Sequence, residues 1–325
     1  MIYIDIHVCC VAISGSKWFR GWLHMKKILL IFLLTGQMLM AHAGEYGANR
    51  SVLKPERTQA NAISNAGSAP KLHSSIALIY DQQTQRPLYT KNSDTQTPIA
   101  SITKLMTAMV ILDAQLPLDE EISIDVADID TLKGTRSRLR IGMTLTRSEL
   151  LKLALMASEN RAAAALARTY PGGYNAAISA MNDKARELGM QNTRFLDPAG
   201  LNSNNVSTAH DLVKMVSAAS NYSLIHQYTT AASHSVDGWR GREMRFVNTN
   251  PLVRSASWDI GVSKTGYISE AGRCLVMEAT INQRPVIIVL LDSWGKRTRI
   301  GDANRIKKWM ESNNTRVRVS MMARS

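Results

Sequence analysis

Cysteine is scarce in this chain of 325 residues, which contains three. Cys9 and Cys10 precede the leader cleavage site predicted below, so the mature chain would keep Cys274 alone. One cysteine cannot form an internal disulfide, and the stability of the exported chain must therefore come from its core. Cys274 lies in an apolar, strand-like run, which predicts a small buried hydrophobic side chain rather than a nucleophile.

Metal-ligand and nucleic-acid motifs are also missing. Histidines 73, 210, 226 and 234 do not have the spacing of a zinc site. The chain has 39 basic and 26 acidic residues, a formal net charge of +13, but no basic stripe interleaved with aromatic residues. The charge admits an anionic membrane surface or an acidic polymer as a partner. We predict no metal, no cofactor and no nucleic-acid ligand.

A short apolar run near the N-terminus has the pattern of a secretory signal. Lys26 and Lys27 precede the run 28–34, which is too short for a permanent membrane span, and the small residues at 41 and 43 predict cleavage after Ala43. Residues 1–24 are interpreted as an upstream start artefact, or else as an unusually long n-region. An uncleaved anchor is the alternative; a cleaved signal predicts an exported protein.

Cleavage after Ala43 removes four basic residues and one acidic residue and leaves 282 residues with 35 basic and 25 acidic side chains, a net charge of +10. That length can bury a substantial core. Segment 44–70 is rich in Asn, Ala, Ser and Gly, which predicts a flexible linker. We predict a folded region over 71–312 and a short polar tail over 313–325 without an amphipathic helix for membrane anchoring.

Apolar periodicity predicts strands at both ends of the folded region and helices between them. Thr146 and Glu149 have the spacing of a helix-starting capping box. The predicted strands are 75–80, 86–89, 260–264, 274–281 and 285–292, and the predicted helices are 101–113, 150–156, 161–168, 174–188, 208–219 and 302–311. This order predicts an α+β fold, with one antiparallel sheet completed by both ends of the chain and flanked by helices, beside a mostly helical lobe.

A hydroxyl and an amine lie three residues apart where the helix 101–113 begins. Ser101 and Lys104 would share one face of a helix whose other residues are almost all apolar, so Lys104 would be buried. Burial and the positive end of the helix dipole lower the pKa of a lysine towards neutrality, which would make Lys104 a base for Ser101. The alternative is a helix-capping Ser101 and a solvent-exposed Lys104, since serine-x-x-lysine also occurs at Ser14 and Ser51.

Two further motifs follow in chain order, one in a turn predicted between buried helices and one at the end of a predicted strand. They are Ser158-x-Asn160 and Lys264-Thr265-Gly266. The settings and order of the three motifs match those of serine acyl-transferases, although serine-x-asparagine alone is common. The alternative is structural, with turn formers in the second motif and a strand end with a bend in the third.

At these residues the chain resembles the penicillin-recognising serine enzymes, and more narrowly the low-molecular-mass penicillin-binding proteins that act as D-alanyl-D-alanine peptidases. The resemblance covers roughly residues 70–312 and includes the runs 98–107 and 195–201 and the segment Gly266-Tyr267 followed by Ala271-Gly272. The stretches 153–164 and 170–174 are similar to the endopeptidase subgroup of the penicillin-binding protein seven type. The resemblance implies a DD-peptidase/β-lactamase-like fold with the active site between sheet and helical lobe.

The resemblance also implies a role for each motif residue. Ser101 would be the nucleophile and Lys104 the general base. The other implied roles are Ser158 as proton relay, Asn160 as a hydrogen-bonding partner of substrate or Lys104, Lys264 as a source of positive potential, Thr265 and Gly266 as substrate-binding residues, and the backbone N–H groups of Ser101 and Tyr267 as the oxyanion hole.

The implied function is that of a murein DD-endopeptidase, which hydrolyses D-alanyl cross-links between peptidoglycan peptide stems and is inhibited by β-lactams. A D-alanyl-D-alanine carboxypeptidase is the alternative, and a non-catalytic wall-binding module is the second. The run Asn248-Thr249-Asn250 lacks the basic residue that the carboxypeptidases often have there. Class A β-lactamases need a glutamate that activates the water for deacylation. In the nearest similar stretch of this chain the acidic residue is Asp197, at an altered spacing, so efficient hydrolysis of β-lactam antibiotics is not expected.

Overall fold

The structure is a computed structural model that describes residues 69–238 and 241–322. The predicted signal peptide, and the predicted linker as far as residue 68, lie outside the described residues. The strands, numbered in chain order, are β1 (Ile76–Asp81), β2 (Arg86–Lys91), β3 (Thr97–Pro98), β4 (Glu121–Ser123), β5 (Thr144–Thr146), β6 (Val206–Ser207), β7 (Ser233–Asp237), β8 (Glu243–Val247), β9 (Asp259–Ile268), β10 (Gly272–Ile281) and β11 (Arg284–Ser293). The helices are α1 (Lys104–Asp113), α2 (Arg147–Lys152), α3 (Asn160–Arg168), α4 (Gly173–Glu187), α5 (Ala209–Ala219), α6 (Ser223–Thr230) and α7 (Thr298–Met322).

Five strands form one antiparallel sheet in the order β2-β1-β11-β10-β9. Strand β1 from the start of the fold pairs with β11 from its end, with Ile76 opposite Leu291. Strand β9 is an edge strand of this sheet. Within the sheet it pairs with β10 on one side, and its other side faces the helices. Both ends of the folded region therefore complete one sheet, as predicted.

The central strands are buried on both faces. Alternate residues point to opposite sides of a sheet, and accordingly Val276 belongs to the core shared with α1 to α6, whereas its neighbour Leu275 packs with Ile306 of α7. The apolar run of β11 is buried on both sides in the same way. A sheet covered by a helical lobe on one face and by α7 on the other confirms the predicted α+β fold class.

The helical lobe contains the first two motifs. Residues Lys104 to Ile111 of α1 are all buried. A 3₁₀ turn, Ala100–Thr103, precedes α1, so Ser101 lies just ahead of the α-helix. The capping box of Thr146 and Glu149 is present at the start of α2. The helix predicted over 150–156 is confirmed, and it changes type within its length, because α2 ends at Lys152 and a π-helical turn, Leu153–Ala157, continues it.

Several boundaries also differ from prediction. Strand β9 continues past Lys264 to Ile268, since it pairs with β10 as far as Gly272 although Thr265 and Gly266 break the apolar pattern. Helix α7 is longer than the predicted 302–311 at both ends and includes part of the predicted tail. Helix α6 and the β7–β8 hairpin were not predicted. None of the helices in the described ranges is long and apolar enough to cross a membrane.

Candidate active site

The three motifs meet where the start of α1, the turn before α3 and the edge strand β9 come together. Lys104 is at the centre. Its Nζ lies 2.8 Å from Ser101 Oγ, 2.7 Å from Asn160 Oδ1 and 2.6 Å from the Ala199 carbonyl oxygen. The side chain is buried, and Ser101 makes no helix-capping hydrogen bond. The structure therefore contradicts the alternative of a capping serine and a solvent-exposed lysine.

Burial sets the protonation of Lys104. It lowers the pKa of this amine to about 7, although the negative charges of Asp197, Glu159 and Asp130 act in the opposite direction. A substantial fraction of the amine is then neutral near pH 7 and can accept the proton of Ser101, which lies within hydrogen-bonding distance. The sequence-based prediction of a buried lysine with a depressed pKa is confirmed.

The Ala199 carbonyl is held in place by the loop that follows β-bridge residue Arg194. The buried Asp197 carboxylate accepts hydrogen bonds from the backbone N–H groups of four residues, at positions 199–202. Asn205 donates to the Asp197 carbonyl and to Thr103 Oγ1, which ties this loop to the turn containing Ser101. Within the described residues, these hydrogen bonds to the Asp197 carboxylate all come from its own loop, so the residue orients that backbone.

A hydrogen-bonded chain orients Asn160. Its Nδ2 donates to Thr135 Oγ1 at 2.9 Å, and the Thr135 hydroxyl donates to Asp130 Oδ2 at 2.7 Å. An ionised carboxylate can only accept, so the chain has one direction and Asn160 Oδ1 must face Lys104. Sequence reasoning missed Thr135 and Asp130, because both lie in a loop of turn-forming residues where such side chains are common.

The third motif holds a second buried lysine. Lys264 Nζ donates to Ser158 Oγ at 2.9 Å. Burial, followed by the positive charges of Lys104 and Arg299, holds the pKa of Lys264 well below that of an ordinary lysine. Ser158 has a left-handed backbone with φ of 61° at the end of the π-helical turn. Such strain in a non-glycine residue persists where the surrounding structure requires it.

Two glycines allow close contacts around the nucleophile. A Cβ at Gly266 would lie 2.8 Å from the Ile99 carbonyl oxygen and 3.2 Å from Ser101 N, so β9 passes directly beside the Ser101 backbone. A Cβ at Gly200 would lie only 1.9 Å from the Ala100 carbonyl oxygen. Both positions therefore require glycine, and Gly266 brings the strand carrying Tyr267 close to Ser101.

An unpredicted arginine lies near the third motif. Arg299 is 9% exposed, and its Nε and Nη1 have no hydrogen-bond partner among the described residues. Its positive charge contributes, after burial and Lys104, to the depressed pKa of Lys264. One sequence signal could have marked it, since a cation in the first turn of a helix is electrostatically unfavourable.

Thr265 and Tyr267 lie on either side of Gly266 in β9. Thr265 is buried, and its hydroxyl is 2.7 Å from the hydroxyl of Thr249 in the run between β8 and β9. Tyr267 is 55% exposed. By contrast Cys274, on β10, is fully buried with a pKa raised to about 12, which confirms its prediction as a small hydrophobic residue.

A cavity opens beside Asn160. Its volume is about 170 Å³, and its lining includes Tyr174, Leu132 and the loop with Ala199. Of the motif residues, Asn160 borders this cavity, which is lined by residues of the Asp130 loop and of the Ala199 loop.

Comparison with known proteins agrees with this arrangement. A family profile described as D-alanyl-D-alanine carboxypeptidase, of peptidase family S11, matches residues 63–295. A D-alanyl-D-alanine endopeptidase of Pseudomonas aeruginosa is 49% identical over 244 residues, which cover 74% of this chain and 78% of that protein. Another, of Escherichia coli, is 46% identical over 259 residues, which cover 79% of this chain and 84% of that protein.

A solved structure of the Streptomyces K15 DD-transpeptidase is also similar. It covers 75% of this chain and 98% of its own, with 31% sequence identity and a TM-score of 0.69. Because the family profile spans most of the chain and the two relatives are nearly half identical over most of their lengths, this chain belongs to the D-alanyl-D-alanine carboxypeptidase family, peptidase S11.

Proposed function

We propose that this chain is a murein DD-endopeptidase, a hydrolase that cuts D-alanyl cross-links between the peptide stems of peptidoglycan. The observation that carries the proposal is the buried Lys104 amine, with a pKa of about 7, at 2.8 Å from the Ser101 hydroxyl. The names of the two relatives from Pseudomonas aeruginosa and Escherichia coli support the choice of the cross-link as substrate.

The reaction proceeds through a covalent intermediate. Neutral Lys104 takes the proton of Ser101 as Oγ attacks the D-alanyl carbonyl carbon. The carbon–nitrogen bond then breaks, and the departing amine receives a proton relayed through Ser158, which Lys264 holds in position. Water hydrolyses the resulting ester, which releases the D-alanyl carboxylate and restores the Ser101 hydroxyl.

Backbone and cationic groups stabilise the charges of this reaction. The N–H groups of Ser101 and Tyr267 form the oxyanion hole, a role supported by the close approach of β9 at Gly266. Thr265 binds the amide or carboxylate of the substrate. The charge of Arg299, which helps to lower the pKa of Lys264, adds to the positive potential beside the site.

A carboxypeptidase activity on free stem peptides is the second candidate. The family profile and the Bacillus subtilis relative at 30% identity both have that description. Thr249 favours the endopeptidase, because a neutral hydroxyl occupies the run in which the resemblance implies a basic residue for terminal carboxylates. A wall-binding module without catalysis would not need the Ser101–Lys104 and Ser158–Lys264 pairs.

The setting of the enzyme follows from the N-terminal signal. We expect the chain to be exported to the periplasm with cleavage after Ala43, and to work without metal or cofactor. β-Lactams should acylate Ser101, because they present a reactive carbonyl to the same nucleophile.

Product analysis tests the proposal. The purified protein is incubated with cross-linked murein and, separately, with a free pentapeptide, and the products are resolved by mass. Conversion of cross-linked dimers into monomers is the expected result. Release of D-alanine from the pentapeptide with no loss of dimers would establish the carboxypeptidase instead.

A further inference from the structure

Five exposed arginines form a basic surface that the catalytic reaction does not use. They belong to the loop between β4 and β5 and to the β7–β8 hairpin, and we call them the basic rim: Arg136, Arg138, Arg140, Arg242 and Arg245. In the described ranges none of the five forms an ion pair with a carboxylate. The positive net charge of the chain is thus concentrated in part on one surface.

The loop and the hairpin are joined by Arg138. Its guanidinium lies 3.7 Å from the centre of the Phe246 ring, and its Nη1 donates to the Arg245 carbonyl oxygen at 2.7 Å. The hairpin also carries two exposed carboxylates, Asp237 and Glu243, which lie opposite each other in the β7–β8 pairing. The five arginines therefore leave a net excess of three positive charges on segment 136–140 and the hairpin, which an anionic ligand would complement.

The basic rim borders the catalytic cleft. Thr135, which accepts the hydrogen bond of Asn160, immediately precedes Arg136. Arg161, in the helix that begins at Asn160, donates to the Leu139 carbonyl oxygen at 2.6 Å within the same loop. Arg136, the first arginine of the basic rim, is therefore one residue away from Thr135, which helps to orient Asn160 beside Lys104.

We propose that the basic rim is a docking surface for the acidic peptide stems of murein, which it holds beside the bond to be cut. The proposal rests on the function proposed above and adds the part of the substrate that lies outside the cleft. Free carboxylates on these stems complement the arginines in charge and hydrogen-bonding geometry. Because Thr135, next to Arg136, holds Asn160 of the site, the substrate polymer is the occupant that can reach both the basic rim and the catalytic residues.

Docking of this kind changes how fast and how tightly the enzyme associates with murein, and it does not change the acyl-transfer step. Exposed charges speed encounter and weaken with salt, whereas the acyl transfer depends on buried groups. Loss of rim charges should therefore lower kcat/KM on polymeric murein and leave the acylation of Ser101 by a small β-lactam unchanged.

The test variant is Arg136→Gln/Arg140→Gln/Arg242→Gln, which leaves Arg138 on Phe246. The matched control, Lys71→Gln/Arg86→Gln/Lys308→Gln, loses the same charge at exposed positions on other parts of the fold. Co-sedimentation with isolated murein sacculi measures binding at several salt concentrations. We expect the rim variant to bind about tenfold more weakly at low salt, since three exposed contacts contribute about twofold each, and the control to bind as the wild type does.

Chemical removal of the ligand charge provides the reciprocal experiment. Sacculi whose carboxylates have been amidated should bind the wild type at least as weakly as native sacculi bind the rim variant, which keeps two of the five arginines. Equal binding of the rim variant and the wild type would overturn the proposal, and so would an equal loss in the control. Weakened binding to anionic lipid vesicles with unchanged binding to sacculi would make a membrane the partner instead.

The outcomes separate this proposal from the catalytic one. If the wild type does not cut cross-links, the proposed function fails. If the wild type cuts them and the rim variant cuts sacculi equally fast, only the docking surface fails. Acylation by benzylpenicillin at the same rate in all three proteins excludes misfolding as the cause of weaker binding.

Discussion

At the scale of single residues, the site depends on amines that the fold keeps partly neutral. Lys104 has no solvent contact to stabilise its charge, and the hydrogen bonds to Asn160 and Ala199 fix its position beside Ser101. The pattern of apolar residues around Lys104 was sufficient to predict its burial and the direction of its pKa. The Ala199 carbonyl was not predictable, because a backbone oxygen leaves no mark in the sequence.

The pKa of Lys104 predicts the pH dependence of acylation. A base works when neutral, so the rate constant for acylation of Ser101 by benzylpenicillin should rise with pH up to about 7 and level off above it. Below that pH the neutral fraction falls about tenfold per unit, and the rate with it. Stopped-flow or quenched mass measurements at a series of pH values give this profile. A titration near the ordinary lysine value of about 10.4 would remove Lys104 as the base.

Thr135 is predicted to position Asn160 without touching the reacting atoms. Thr135→Val removes the acceptor of Asn160 Nδ2 and lets the amide turn, which should slow acylation by about tenfold, the equivalent of one hydrogen bond of about 1.4 kcal/mol. The acylation pH profile should shift as well, because Asn160 Oδ1 contacts the Lys104 amine. Benzylpenicillin acylation measures both effects.

Two further variants control this experiment. Thr135→Ser keeps the hydroxyl and should restore most of the rate. Thr84→Val changes an exposed threonine in the turn between β1 and β2, outside the cavity lining, and should have no effect. An unshifted profile and a normal rate in Thr135→Val would show that the hydrogen-bonded chain does not orient the amide.

At the scale of elements, the nucleophile depends on contacts between the turn Ala100–Thr103 and two neighbouring segments. Ala100 itself has a left-handed backbone, with φ of 49°. The loop at Gly200 and the strand at Gly266 both approach this turn more closely than a side chain would allow. The position of Ser101 therefore depends on backbone packing from distant parts of the sequence.

Gly200→Ala should displace the nucleophile turn. The added Cβ would overlap the Ala100 carbonyl, and the left-handed φ of 77° adds backbone strain, so the free energy of unfolding should fall by about 3 kcal/mol or more. Gly142→Ala is the matched control, since its φ is 80° but no atom lies within 4 Å of the added Cβ. It should cost about 1 kcal/mol.

Urea unfolding and the stoichiometry of penicillin adducts distinguish the two variants. Gly142→Ala should bind one equivalent, as the wild type should, whereas Gly200→Ala should acylate slowly or incompletely. Equal losses of stability in both variants would mean that position 200 requires glycine because of its left-handed φ and not because of the contact with Ala100.

Long apolar elements were the most predictable part of the fold. Strand β11 and helix α1 have near-continuous apolar runs, and both were placed within a few residues. Helix α6 was missed because its polar and β-branched residues have low helix propensity, and it is stabilised by the packing of Ile225 and Tyr228 in the core. The π-helical turn was missed because its apolar residues have the same composition as an α-helix.

At the scale of the whole molecule, the sheet is closed by the two ends of the folded region. Buried Asp302, near the start of α7, accepts hydrogen bonds from the backbone N–H groups of His73 and Ser74 and from the Ser74 hydroxyl. The same hydroxyl lies 2.7 Å from that of Ser293. The sequence predicted strands at both ends, but which acidic residue joins them could not be predicted, because Asp302 has no distinctive local pattern.

Asp302→Asn should weaken this closure and leave the active site intact. The amide has the size of the carboxylate but no charge, and its N–H group cannot accept the hydrogen bonds that His73 and Ser74 donate. The free energy of unfolding should therefore fall by about 3 kcal/mol. The exposed Asp183→Asn should change it by less than about 0.5 kcal/mol. Urea unfolding measures both values, and benzylpenicillin acylation in the absence of urea should match the wild type, because Asp302 makes none of the hydrogen bonds to the motif residues. Slower acylation in Asp302→Asn would mean that the contacts of Asp302 also set the position of β9 beside Ser101. A free energy of unfolding equal to that of the wild type would show that the pairing of β1 with β11 holds the two ends of the folded region together without the carboxylate.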